Sequence, residues 1–440
     1  MHSVVVPHGG PPEAIDRVAP SLTIPPLIKR NTLFLAIAQA CVGIGNQMVP
    51  TLGALMVVQL LGSPTLAGLA TSILGGCRFI VAYPIGLVTD RYGRRAGLLL
   101  GLLASLAGAL IVGWALLLAS FTVFLSGLVL FGIGVGAVQQ LRLAAADMYP
   151  PGRRATGLGY VLTGSLIGAM GGPALISVAQ LLAPRLALDP LAVPWLLVPL
   201  VLLPSLGLVL QLRPDPKEIA ANLERYYPGY RAPQPASPSP QREGSPAAFL
   251  RHYPKLATFV ASFAVQGNMT MMMAMNALAL AHHGHGLPAI SLSVAIHIIG
   301  MFGFSLPLGR LTDAFGRRTM MLAGLVAAGV GGVLVPTAAE YWLVTIGTFL
   351  VGLGWSGVNV AAVALLSDTT RPQERGRVIG TNDTFSGAAA IALPFLAGPL
   401  VALAGLPSLA IVSLVLMSVP LGLLLRLRET GGGKYAEGAR

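Results

Sequence analysis

The chain has 440 residues, of which 54% are hydrophobic and only 10% charged, whereas soluble domains carry about 25% charged residues. Its formal net charge is +12, but no basic face interleaved with aromatic residues is visible, which argues against a nucleic-acid partner. These values exclude an ordinary soluble domain and favour a protein embedded in a lipid bilayer.

Residues 1–30 are rich in proline and contain Glu13, Asp16 and Arg17. They lack the apolar core and the cleavage site that define a signal peptide. We therefore expect a disordered cytoplasmic tail ahead of the first membrane segment.

Twelve apolar stretches follow, each of about 20 residues or more and long enough to cross a bilayer as a helix. Glycine and proline within them are acceptable, because membrane helices tolerate both and use small residues for close packing. We number the predicted helices 1 to 12: 31–60, 64–89, 96–117, 121–146, 155–182, 191–212, 253–281, 288–312, 319–338, 341–367, 377–404 and 406–427. The sequence therefore predicts an all-α polytopic membrane protein.

Lysine and arginine are concentrated in the segments that lie on the same side of these helices as the two termini. Cytoplasmic segments of membrane proteins carry an excess of such residues, so we expect both termini in the cytoplasm of a multi-pass inner- or plasma-membrane protein. The positive net charge then reflects topology.

The loop between helices 2 and 3 returns between helices 8 and 9, 223 residues later. The first copy runs from Gly86 to Arg95 and reads GLVTDRYGRR, and the second runs from Gly309 to Arg318 and reads GRLTDAFGRR. A duplicated charged loop indicates two related halves, as in many secondary transporters. The residues that we assign to gating are Gly86, Asp90, Arg91, Gly93, Arg94, Arg95, Gly309, Asp313, Gly316, Arg317 and Arg318.

Each residue type in this loop suits a latch. Gly86 and Gly93 permit a tight turn and close backbone approach. Asp90 can face the positive N-terminus of a neighbouring helix. The arginines can hold acidic or carbonyl groups on the partner bundle while that face is closed, which stabilises one conformation over another.

Further landmarks repeat at nearly the same offset. The pair Gly45-Asn46 returns as Gly267-Asn268, and Asp147 returns as Asp368. Between the halves lies a polar segment with Ser-Pro-Ser-Pro at 237–240, which is typical of a linker. We expect five parts: a tail at 1–30, a six-helix bundle at 31–212, a cytoplasmic linker at 213–252, a second six-helix bundle at 253–428 and a tail at 429–440.

From about residue 31 to residue 427 the sequence resembles the major facilitator superfamily, through its six-plus-six helices and its charged loops. The resemblance implies two bundles with pseudo-twofold symmetry that rock around a central site near the bilayer midplane, in a monomer. No ATP-binding motif appears, and the membrane carboxylates have no nucleophile or phosphate loop beside them. We therefore expect neither an enzyme nor an ATP-driven pump, and no cofactor.

Charged residues inside the predicted helices are costly and mark functional positions. Arg78 in helix 2 and Asp383 in helix 11 are substrate or coupling candidates, and Asp383 could carry protons as the coupling ion. A structural Arg–Asp pair, or an Asp that caps a helix kink, is the alternative. Arg142 in helix 4 is expected to reach the lipid headgroups or to pair with Asp147.

Helices 7 and 8 carry an unusual set of sulfur and imidazole side chains. Met269 and Met273 share one face of helix 7, and His297 and Met301 share one face of helix 8. Met269, His297 and Met301 all lie about 14–20 Å from the outer ends of their helices, near the midplane. Thioethers with imidazole favour Cu(I) over hard cations.

These two motifs are similar to those of the copper-importing, CcoA-like branch of the superfamily, which implies Met269, Met273, His297 and Met301 as metal ligands, with Met271 and Met275 as an alternative pair. A flexible Met-lined pocket for an apolar solute, or a lipid-facing stripe, explains the same residues. The sequence thus predicts a secondary transporter with copper as candidate cargo. The alternatives are a proton-coupled transporter or exporter of a small organic solute or drug, and a membrane sensor or scaffold without flux.

Overall fold

The computed structural model describes residues 23–150, 153–228, 230, 249–370, 374–427, 429–430 and 434–435. The predicted tails at 1–30 and 429–440 and the Ser-Pro-rich part of the predicted linker lie wholly or partly outside these residues.

Twelve long helices form the described part of the molecule, and each lies close to its predicted position. Their bounds are Pro26–Asn46 continued by Met48–Leu61 (helix 1), Leu69–Tyr92 after a short 3₁₀ turn at Pro64–Leu66 (helix 2), Arg94–Leu117 (helix 3), Phe121–Val138 continued by Gln140–Asp147 (helix 4), Arg154–Leu186 (helix 5), Ala192–Leu210 (helix 6), Tyr253–His282 (helix 7), Leu287–Phe302 continued by Ser305–Phe315 (helix 8), Arg317–Thr337 (helix 9), Tyr341–Asp368 (helix 10), Arg375–Ala404 (helix 11) and Ser408–Arg426 (helix 12). The prediction of an all-α polytopic fold is confirmed. Outside the helices, Glu429–Thr430 pairs antiparallel with Lys434–Tyr435 over two residues.

Helix 7 differs from the other long helices in composition. Judged by length and composition alone, eleven helices of the described chain could cross a membrane. Helix 7 is not among these eleven. Gln266, Asn268, Thr270 and Asn276 lower its hydropathy. Most of its residues are nevertheless buried by neighbouring helices, which places this polar sequence inside the bundle.

Helices 1, 4 and 8 are each interrupted part-way. Pro50 follows the break in helix 1 and Pro307 follows the break in helix 8, and neither has a backbone N–H to bond back across the break. In helix 1 the interruption lies at Gln47, whose side-chain amide donates hydrogen bonds to the carbonyls of Gly168 (3.1 Å) and Ala169 (2.5 Å) in helix 5. At the break in helix 1, the Gln47 side chain is therefore hydrogen-bonded to helix 5.

The same small-residue packing recurs in the two halves. A Cβ on Gly108 of helix 3 would lie 2.3 Å from the backbone nitrogen of Phe131 in helix 4. A Cβ on Gly331 of helix 9 would lie 2.4 Å from the carbonyl oxygen of Gly347 in helix 10. Only glycine lets these backbones approach so closely, so each half is held by a glycine-lined helix pair.

The two halves touch at the end of the bundle opposite the termini. There a Cβ on Gly68, the residue before helix 2, would meet the carbonyl oxygen of Pro394 in helix 11. A Cβ on Gly398 of helix 11 would lie 2.3 Å from the carbonyl oxygen of Thr65. An apolar cluster drawn from both halves, including Ala54, Ala67 and Met271, fills the same region. This end of the space between the halves is therefore closed.

The start of the predicted linker is folded. It contains two short helices, Pro216–Ala221 and Leu223–Tyr226. Ile219 and Tyr227 have no exposed surface and belong to the apolar core of the N-terminal half.

Candidate functional site

A cavity of about 360 Å³ lies between the two halves and takes its walls from both. Its walls include two basic residues, several amide and hydroxyl residues, three thioethers, an imidazole and two aromatic rings. The members used below are Gln39, Asn46, Arg78, Gln139, Arg142, Ser165, Gln266, Met269, Met273, His297, Ile298, Met301, Phe302 and Trp355.

Arg78 enters the cavity from helix 2. Its Nη2 donates a hydrogen bond of 2.6 Å to the side-chain oxygen of Asn46, which ends the first part of helix 1. Its Nε is buried and has no hydrogen-bond partner. Among the described residues no carboxylate forms an ion pair with Arg78, so its charge is held by one amide.

Arg142 enters the same cavity from helix 4, where we expected it to reach the headgroups or to pair with Asp147. Asp147 pairs with Arg94 instead, and the guanidinium carbon of Arg142 lies 5.7 Å from the ring centroid of Phe302. Arg78 and Arg142 line the same cavity. The described cavity lining thus holds two positive charges and no carboxylate.

The four residues of the sulfur and imidazole set, Met269, Met273, His297 and Met301, all line this cavity. His297 is 2% exposed, and its Nδ1 lies 2.8 Å from the carbonyl oxygen of Thr348. Because a carbonyl only accepts hydrogen bonds, Nδ1 carries a proton, and in the neutral imidazole Nε2 keeps its lone pair. The set could therefore present one nitrogen and three sulfur donors to a soft metal ion or to an organic ligand.

Two other candidates lie elsewhere. Met271 and Met275 are buried in the apolar cluster between the halves and do not line the cavity, because residues two apart on a helix point to opposite sides. Asp383 is exposed and is also absent from the lining. A direct Arg78–Asp383 pair is not formed.

The aromatic wall of the cavity joins helices 7, 8 and 10. Trp355 donates a hydrogen bond of 2.7 Å from Nε1 to the side-chain oxygen of Gln266. Its ring packs edge-on against Phe302, with 6.1 Å between the ring centroids.

On the opposite side Gln39 donates to the hydroxyl of Ser165 at 2.9 Å. Sequence reasoning missed these residues, although polar side chains within apolar helices are a usable signal.

The repeated loops form matching ion pairs in the two halves. Arg94 Nε lies 2.9 Å from Asp147 Oδ2, and Arg317 Nε lies 3.0 Å from Asp368 Oδ2. Arg317 also lies 3.2 Å from Asp313. Acidic partners were expected on the opposite bundle, but the described partners of these arginines lie in the same half, so each pair ties one bundle together.

The remaining residues of the repeated loops differ in backbone conformation, exposure and hydrogen bonding. Gly93 (φ +94°) and Gly316 (φ +89°) adopt backbone conformations that favour glycine. Gly86 and Gly309 face open space, so the close approach expected at Gly86 is not formed. Asp90 and Arg91 are exposed. Arg318 donates from Nε and Nη2 to the last carbonyls of helix 12, and Arg95 bonds through its backbone.

A family profile described as "Major Facilitator Superfamily" matches residues 35–238 and 256–439. Among curated relatives, the uncharacterized transporter YdeG of Bacillus subtilis is 32% identical over 83% of this chain and 85% of its own length. Its counterpart YddS is 30% identical over 92% of this chain and 93% of its own length. The riboflavin transporter RfnT of Brucella anthropi is 27% identical over 93% of this chain and 98% of its own length.

Solved structures share the fold. A bacterial homologue of the human lysosomal transporter Spinster, inward-facing and occupied, matches with a TM-score of 0.67 at 15% identity, covering 90% of this chain and 95% of its own. The nucleoside transporter NupG matches with a TM-score of 0.64 at 15% identity, covering 90% of this chain and 98% of its own.

Proposed function

The chain belongs to the Major Facilitator Superfamily, and we propose that its central cavity binds a small organic solute that carries an anionic or acceptor-rich group. Transport would proceed by alternating access of the two halves. The observation that carries the proposal is the presence of Arg78 and Arg142 in a cavity whose described lining has no carboxylate.

Electrostatics favours this class of cargo. A charged side chain inside the membrane is costly and is usually kept for a partner or a substrate. Two positive charges attract an anion and repel a cation, and the effect is stronger in a cavity than in water. The Nε atoms of both arginines are buried without a hydrogen-bond partner, so both guanidinium groups are incompletely satisfied by the protein. The cavity volume falls within the roughly 300–1,000 Å³ of small-molecule sites.

Riboflavin is the first cargo to test, because the relative RfnT, which aligns with nearly the whole chain, is named a riboflavin transporter. Its ring carbonyls and ribityl hydroxyls offer acceptors to the arginines. Riboflavin 5′-phosphate is the matched anionic probe, since it adds a charged phosphate to the same ring.

Uptake of both probes into proteoliposomes tests the proposal. We expect Arg78→Gln and Arg142→Gln each to reduce uptake of the transported probe, with the larger loss for the phosphate. Arg185→Gln is the matched control, since Arg185 is exposed and lies outside the cavity lining. If neither probe is taken up, or if the cavity variants match wild type, the proposal fails.

Copper is a second candidate, and the convergence of Met269, Met273, His297 and Met301 on one cavity favours it. The two arginines oppose it, because they repel any cation. Copper accumulation in cells expressing wild type, Met273→Ala or His297→Ala decides the matter. Met170→Ala is the control, since Met170 is 56% exposed and outside the lining. Equal accumulation in all four excludes copper as cargo.

We further propose that transport is coupled to protons. We also propose that the transporter is a monomer and that both of its termini lie in the cytoplasm. A pH gradient across the same proteoliposomes should drive uptake if protons couple, and Asp383→Asn should weaken that dependence. Light scattering of the purified protein measures its mass. Protease access in sealed vesicles locates the termini.

A further inference from the structure

The first part of the linker is attached to the repeated loop of the N-terminal half. The carboxylate of Asp215 accepts hydrogen bonds from the backbone N–H groups of Arg94 and Arg95, each at 3.0 Å. These are the first two residues of helix 3. A Cβ on Gly93 would lie 2.5 Å from Asp215 Oδ2, so glycine at this position also makes room for the carboxylate.

The contact meets a requirement of helix 3. The first N–H groups of a helix have no partner within it, and the residue before helix 3 is Gly93, which has no side chain to supply one. A carboxylate at the N-terminus also interacts favourably with the helix dipole. Asp215 thus acts as the cap of a helix that begins 121 residues earlier.

The same carboxylate begins a second helix. Asp215 accepts a hydrogen bond of 2.8 Å from the backbone of Lys217 and is the residue before Pro216–Ala221. A single side chain therefore fixes the start of helix 3 and the start of the first linker helix. We call residues 213–227 the strap.

Further contacts hold the strap along its length. Arg30 Nη2 donates to the carbonyl of Arg213 at 2.8 Å, and the ammonium of Lys217 donates to the carbonyl of Asp90. At the far end Tyr227 donates to the carbonyl of Met148 at 3.1 Å. Burial raises the pKa of the Tyr227 phenol, which keeps this donor protonated.

We propose that Asp215 is a positioning residue of the transport cycle, which ties the strap to the start of helix 3 and makes the ends of helices 2, 3 and 4 move as one body. Arg94 is oriented toward Asp147 while its backbone is held by Asp215. The strap reaches Asp90 in the last turn of helix 2 and Met148 just after helix 4. The connection between the halves is thereby anchored through Tyr227.

Hydrogen exchange of the purified full-length protein in nanodiscs tests the first part of this proposal. We expect Asp215→Ala to speed exchange of the Arg94 and Arg95 amides about tenfold, the size expected for loss of a helix cap. Exchange across 216–227 should also rise. Asp215→Asn, which keeps one acceptor, should fall between. Asp189→Ala is the matched control, because Asp189 caps Leu191 at the opposite end of the bundle.

A second readout separates positioning from mere stabilisation, and it needs no cargo. Ile298→Cys, in a protein whose Cys41 and Cys77 are replaced by serine, places a thiol in the cavity wall. A maleimide reaches it only when the cavity is open. A positioning role predicts that both Asp215 variants change the labelling rate, whereas Asp189→Ala does not. Unchanged exchange at Arg94 and Arg95, or an unchanged labelling rate, would overturn the proposal, whatever the cargo proves to be.

Discussion

The guanidinium of Arg142 in helix 4 lies 5.7 Å from the ring centroid of Phe302 in helix 8, so a cation of one half packs on an aromatic ring of the other. Phe302 in turn packs edge-on against Trp355 in helix 10. Arg142 is therefore placed by an interaction that leaves its N–H groups available, because a ring face attracts the charge without accepting conventional hydrogen bonds.

The charge of the cavity can be measured without a known cargo. Replacing Trp114 and Trp342, both more than half exposed, by phenylalanine leaves Trp355 in the cavity wall and the fully buried Trp195. We expect iodide to quench this fluorescence more strongly than caesium, because two arginines attract the anion. Replacing Arg78 and Arg142 by glutamine should lower iodide quenching by about twofold.

Arg185→Gln is the control for this measurement and should leave quenching unchanged. Equal quenching by iodide and caesium in the starting protein would show that the cavity has no preference for anions.

The Arg142–Phe302 contact should appear as an energetic coupling. We expect Phe302→Leu to lower the unfolding midpoint more in wild type than in Arg142→Gln, with a coupling of about 0.5–2 kcal/mol. A double-mutant cycle on the purified protein measures it. Phe304→Leu is the control, because Phe304 packs on Phe349 and should show no coupling with Arg142.

Packing between helices 3 and 4 should depend on the size of residue 108. Gly108→Ala forces a methyl group to within 2.3 Å of the Phe131 nitrogen and should destabilise the fold by about 1–3 kcal/mol. Gly207→Ala in helix 6 meets nothing within 4 Å and should be neutral or slightly stabilising. Thermal unfolding of both variants provides the comparison, and equal midpoints would contradict the close approach.

The ion pairs of the repeated loops should contribute modestly and equally. Arg94 and Asp147 are 20% and 25% exposed, so Asp147→Asn should cost no more than about 1 kcal/mol. Asp368→Asn, which breaks the equivalent pair, should have a similar effect. Asp90→Asn alters an exposed side chain and should leave the unfolding midpoint unchanged. A drop for Asp90→Asn as large as for Asp147→Asn would contradict this assignment.

Apolar periodicity was sufficient to predict the helices, because a segment that crosses a bilayer must satisfy its backbone within itself. The interruption at Gln139 could not be predicted, since no proline stands near it, whereas Pro50 was a usable signal for the break at Gln47. The first linker helix did carry a signal. Asp215-Pro216-Lys217-Glu218 is an N-cap, a proline in the first turn and an acidic residue, the pattern of a helix start.

The candidate site was predicted in part. Depth along helices 7 and 8 predicted Met269 and His297 at one level, since helical rise is regular, and both residues line the central cavity. Arg142 was predicted to reach the headgroups or to pair with Asp147, because only its separation from Asp147 along the sequence was considered. It follows the interruption at Gln139, so the periodicity of the preceding helix does not give its face. Asp147, the partner expected for Arg142, pairs with Arg94 instead.

The contact between the halves at their closed end includes the close approach of Gly68 to the carbonyl of Pro394 and an apolar cluster drawn from both halves. The polar contacts described for the repeated loops all lie within one half or the other. Among the described residues no hydrogen bond joins the halves at their closed end, so separation there exposes apolar surface to water or lipid. Such a step is governed by hydration of apolar surface, so the rate of reorientation should respond to temperature and bilayer composition far more than to salt.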